Sequence, residues 1–127
     1  MPLPVTLTFA AACAMLNLWL ALRVARGRFR TKAMIGDGGD AQLLAAQRAH
    51  GNFTEYAPFV MILVGAIELA GGSPTWLRAA AIAFVAARIA HALGMSAPAP
   101  NPGRAGGIAA TWLVLVALAG WAVALVL

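Results

Sequence analysis

The chain has 127 residues, 62% of them hydrophobic and only 10% charged, with a mean hydropathy of +0.84. A soluble domain carries about 25% charged residues, so this composition argues against a soluble protein and makes lipid the fitting solvent. The net charge is +5, but the positive residues crowd beside one apolar run. That placement argues against a nucleic-acid partner and for anionic lipid head groups.

The first apolar run spans about residues 3–22, with Pro2 and Pro4 at its entrance, where proline is tolerated. It contains Cys13, the sole cysteine, so no intrachain disulfide is possible and no metal site is expected. No basic residue precedes the run, which argues against a cleaved lipoprotein leader. Arg23, Arg26, Arg28, Arg30 and Lys32 follow and are expected to end the span. Gly36-Asp37-Gly38-Gly39-Asp40 reads as a turn, with Asp40 as N-cap of the next helix.

A second span covers about 41–70. Roughly 30 helical residues reach about 45 Å, more than the hydrocarbon core, so the polar half from Gln42 to Tyr56 should extend past one interface. Pro58 is expected to kink it. Glu68, near its far end, is expected to snorkel to the opposite interface. A third span covers about 75–93, with Ala79, Ala83 and Ala87 forming a small-residue stripe suited to close helix contact. A fourth covers about 105–127 and has no ionisable side chain. Trp19, Trp76, Trp112 and Trp121 read as interfacial anchors and packing groups. The fold class is therefore an all-α membrane protein, a single domain built as a four-transmembrane-helix bundle.

The positive-inside rule makes the basic first loop cytoplasmic and puts both termini on the other side. Span two then starts, span three ends and span four starts at one membrane level. Arg48, Asn52 and Glu55, then Arg88 and His91, then Arg104 become neighbours in depth. Arg48, Asn52 and Glu55 fall within roughly 60° of one another on a helix. Ionisable residues within spans are costly and usually face a bundle interior or a wet cavity. Glu55 and Arg88 are expected to pair between helices two and three. One carboxylate cannot balance three arginines, so the surplus charge implies an anionic guest: a lipid head group or a small carboxylate-bearing ligand. His50 lies about 200° from Arg48 around the helix, toward head groups, another helix or another subunit.

Arg48-Ala-His-Gly-Asn52-Phe-Thr-Glu55-Tyr56-Ala-Pro58 resembles the MAPEG family, membrane-associated proteins in eicosanoid and glutathione metabolism. The R-x-x-x-N-x-x-E pattern, the later Ala87-Arg88-Ile-Ala-His91-Ala-Leu-Gly94 and Arg104 carry the resemblance. Gly36-Asp37-Gly38-Gly39 ahead of the arginine motif is most similar to its bacterial YecN-like branch. The resemblance implies a homotrimer in the bacterial inner membrane that binds glutathione between subunits on the cytoplasmic side. Arg48, Asn52, Glu55 and Tyr56 would line that site, with Arg88 and His91 beside it. Arg28 and His50 would come from the neighbouring subunit, and Arg104 would be the catalytic group approaching the thiol. The implied activity is a glutathione transferase or peroxidase acting on lipophilic electrophiles. The alternative is a non-catalytic member binding glutathione or an anionic lipid. The chain departs from the pattern at Met95, where many catalytic members carry tyrosine, at Ala105, where one branch has serine, and at Gly51, where that branch has a further arginine. A small multidrug exporter, also a four-span chain, would need an acidic residue in span one, which has none.

The topology has a direct test. A reporter that fluoresces only in the cytoplasm, fused after Leu127, is expected to stay dark; a bright fusion would overturn the orientation.

Overall fold

A computed structural model describes residues 2–127. It contains four helices: α1 (Pro4–Thr31), α2 (Ala41–Leu69), α3 (Pro74–Ser96) and α4 (Pro102–Ala124). All four are long and apolar enough to cross a membrane. α2 and α3 form the middle of the bundle; α1 and α4 flank them without touching each other.

The inward residues recur every three or four positions, the helical period. On α2 they are Leu43, Ala46, Ala49, Phe53, Ala57, Val60, Val64 and Ile67. Phe84 of α3 is fully buried and meets Phe9 of α1 edge-on, with ring centroids 5.7 Å apart. Cys13 is buried beside them in its expected apolar role. The outward faces stay apolar: Leu7, Ile62, Ile82, Leu113 and Val116 are all exposed. Lipid is the only solvent in which that surface is inexpensive.

Two expectations need correction. α1 does not stop at Leu22; it runs on through the arginines to Thr31, and Lys32 then turns left-handed with φ 57°. Arginine is a good helix former, so the chain leaves the apolar layer without leaving the helix. Pro58 lies within α2, with helical residues on both sides of it. Glu68 does not snorkel. Its carboxylate accepts from the Val5 and Thr6 amides at 2.9 and 2.7 Å and from the Thr6 hydroxyl at 2.6 Å. Leu3 at the start of α1 offers no side-chain cap, so an acid from another helix satisfies the orphan amides and complements the dipole.

The other end of the α1–α2 pair is closed as expected. Asp40 accepts from the Leu43 amide at 2.7 Å and pairs with Arg30 at 2.8 Å. That guanidinium holds the Asp40 carboxyl below its ordinary range, so the pair stays ionised at neutral pH.

α3 and α4 approach closely, and glycines make the contact. A Cβ on Gly107 would stand 2.7 Å from the Ala87 carbonyl and from the His91 backbone nitrogen; one on Gly94 would run into the Arg104 backbone. Within the alanine stripe only Ala87 takes part, while Ala79 and Ala83 remain exposed. Gly107→Ala should cost about 1–3 kcal/mol through overpacking. Gly106, one residue away, has open space around it, so Gly106→Ala should leave stability unchanged or slightly raised. Thermal unfolding of the two variants in one detergent checks the contrast.

Candidate functional site

The polar half of α2, the end of α3 and the start of α4 meet at one end of the bundle, as the depth argument expects. Between them lies a cleft of about 240 Å³ lined by Arg48, Asn52, Glu55, His91, Met95 and Arg104. Five of the nine expected site residues are therefore brought together at its wall. Gly51 also lines it, with space that a larger side chain would occupy.

Arg104 reaches the cleft because of how α4 begins. Asn101 is its N-cap, its Oδ1 accepting from the Gly103 amide at 2.9 Å, and Pro102 takes the first helical position. Arg104 follows in the first turn, where its own exposed side chain adds a full charge to the positive end of the helix dipole.

Arg88 forms the floor behind the cleft. It is 1% exposed. Its Nη1 donates to Thr111 Oγ1 at 3.2 Å, and its Nη2 donates to Asn52 Oδ1 at 2.5 Å and to His91 Nδ1 at 3.2 Å. An accepting Nδ1 requires the proton of the His91 imidazole to sit on Nε2. The Tyr56 ring lies 5.9 Å from the guanidinium, within range of a cation–π contact. The Arg88 Nε has no partner.

The expected Glu55–Arg88 ion pair is not formed. Among the described residues the one ion pair is Arg30–Asp40. Asn52 lies nearly one turn before Glu55 on the same stripe, and its amide oxygen takes the guanidinium instead. Glu55 stays exposed at the cleft wall. This arrangement avoids drying a carboxylate, which is costly even when it is paired.

Three other expected residues stand away from the cleft. Tyr56 accepts a hydrogen bond from Trp112 Nε1 at 2.9 Å, which ties α2 to α4. His50 Nε2 meets Asn17 Oδ1 of α1 at 2.9 Å, so its partner is a helix of its own chain. Arg28 donates from Nη1 to the Ala33, Met34 and Gly36 carbonyls and organises the first loop. Thr111 is the residue that sequence reading missed. It is fully buried, donates to the Gly107 carbonyl at 2.8 Å and accepts from Arg88. It is also the only hydroxyl side chain in span four, which was a usable signal.

The MAPEG family model matches residues 6–124. The chain belongs to the MAPEG family. It is 32% identical over 113 residues to the inner membrane protein YecN of Escherichia coli K12, covering 88% of this chain and 85% of that one. YecN of E. coli O6:H1 matches to the same extent. No solved structure matches. Together with the four spans, membership makes this an integral membrane protein.

The arrangement separates two variants. Asn52→Ala should remove an acceptor from a buried cation and cost about 1.5–3 kcal/mol. Glu55→Ala, at an exposed position without a bonded partner, should change stability by about 0.5 kcal/mol or less. Equal destabilisation in chemical unfolding would restore the ion pair.

Proposed function

We propose that this chain binds glutathione in the α2–α3–α4 cleft and presents its thiol to lipophilic electrophiles, as a transferase or peroxidase of the inner membrane. The observation that carries the reading is the charge at the cleft. Arg48 and Arg104 stand at its wall and Arg88 behind it, against the single carboxylate of Glu55. Glutathione complements that set with two carboxylates, one ammonium and a thiol. Its carboxylates suit Arg48 and an arginine of a neighbouring copy in a trimer, its ammonium suits Glu55, and its thiol suits Arg104. The location follows the E. coli relatives, whose names describe them as inner membrane proteins.

The chemistry needs little energy. A thiol with an ordinary pKa of about 8.5 is mostly protonated at neutral pH, and the thiolate is the nucleophile. Lowering that pKa by one unit takes about 1.4 kcal/mol of preferential stabilisation of the anion. A guanidinium in the first turn of α4 acts with the helix dipole in that direction. The bilayer supplies the apolar electrophile from the side. Binding without turnover is the second reading. Met95 favours it, because it lines the cleft and carries no hydroxyl to offer the thiol.

Titration calorimetry with glutathione tests the proposal. The wild type should bind at millimolar ligand or below. Arg48→Ala should weaken binding by about tenfold or more, the loss of one charge-assisted hydrogen bond. Arg104→Ala should raise the pKa of the bound thiol, read by thiolate absorbance, with a smaller effect on affinity. No binding at millimolar glutathione would overturn the proposal. Binding with a thiol that titrates as in water would leave the second reading.

A further inference from the structure

α1 and α3 pack side by side, and two separate cavities lie along the groove they form. Toward the chain's start lies a mostly apolar cavity of about 420 Å³, lined by Phe9, Ala12, Ile82, Val85, Ala86 and Ile89, with Thr8 and Arg78 also on its wall. Ile82 and Ile89 are exposed along its edge, so it opens to the hydrocarbon of the bilayer. At the basic end lies a second cavity of about 210 Å³, lined by Arg23, Arg26 and Arg30 of α1, Gln42 and Ala46 of α2 and Ser96 of α3. None of these residues belongs to the glutathione reading.

The charge in the upper cavity is unbalanced. Arg30 is paired with Asp40. Arg23 bridges the two helices, donating to the Ala92 carbonyl and the Ser96 hydroxyl while lying over the Trp19 ring at 5.0 Å. Those acceptors are neutral, so its charge is uncompensated. Arg26 is exposed, and among the described residues it has no ion-pair partner. Two guanidinia at an interface, beside an indole, fit a phosphodiester. The spacing fits its tails. Arg23 and Ala12 are separated by about 16 Å along the helix, close to the roughly 15 Å half-thickness of the hydrocarbon core.

We propose that the α1–α3 groove holds one anionic glycerophospholipid, its phosphate against Arg23 and Arg26 and an acyl chain descending to the cavity beside Ala12 and Ile89. The neutral alternatives lack the net charge this pocket complements, and a free anion would leave the apolar cavity unfilled.

Native mass spectrometry of the delipidated protein in a neutral detergent tests this, using phosphatidylglycerol and phosphatidylcholine with the same acyl chains. The expected result is saturable retention of one phosphatidylglycerol per chain in preference to phosphatidylcholine. Arg26→Gln should weaken it about fivefold, the effect of one basic residue near an anionic head group. Lys32→Gln, the same charge change outside the pocket, should not. Ala86→Trp, at an exposed position on the cavity wall, should weaken both lipids. Neither millimolar inorganic phosphate nor millimolar glutathione should displace the lipid. Equal affinity for the two lipids, equal losses in Arg26→Gln and Lys32→Gln, no effect of Ala86→Trp, or displacement by either small anion would each overturn the proposal.

Discussion

The bundle is organised around a buried guanidinium. Arg88 sits almost wholly out of solvent and is held by acceptors from three helices: Asn52 on α2, His91 on its own α3 and Thr111 on α4. An unsatisfied charge at that depth would be intolerable, so its acceptors must stay in place. Satisfying it with neutral groups has an electrostatic consequence. Hydrogen bonds orient the charge without cancelling it, so the positive potential persists into the cleft next door. A carboxylate partner would have removed it.

The cleft therefore inherits both its shape and its field from the fold. Asn52 is the joint between them, since it lines the cleft and also accepts from Arg88. His91 has the same double position. Residues that look like ligand contacts from the motif are also structural acceptors, so their substitution mixes binding with stability. Arg48 and Arg104 carry no such duty in the observed hydrogen bonds and report on binding more cleanly.

Much of this was legible in the sequence, for identifiable reasons. Four apolar runs gave the helices, and the polar half of α2 gave the depth at which the site assembles. Asp40 was legible as a cap because capping is local. What failed were statements about pairs. Complementary charge put Glu55 with Arg88, but opposite sign at similar depth does not decide which of two neighbours on one stripe a long side chain reaches. Glu68 was read alone as a polar residue near a helix end. Its partner, the uncapped start of α1, lies more than sixty residues away in sequence, and only the folded chain puts Val5 and Thr6 within its reach. The end of α1 was misplaced because hydropathy marks where lipid ends, whereas a helix ends where backbone geometry forces it to, here at Lys32.

The glycine contacts between α3 and α4 bear on how such a chain can drift over time. The position of Arg104 is set by backbone lying directly on Gly94, and the register of α4 by Gly107 lying on Ala87 and His91. The segment from residues 97 to 101 joins the two helices, and Asn101 within it caps α4. A methyl group at either glycine would displace the arginine from the mouth of the site, which limits substitution at those two positions.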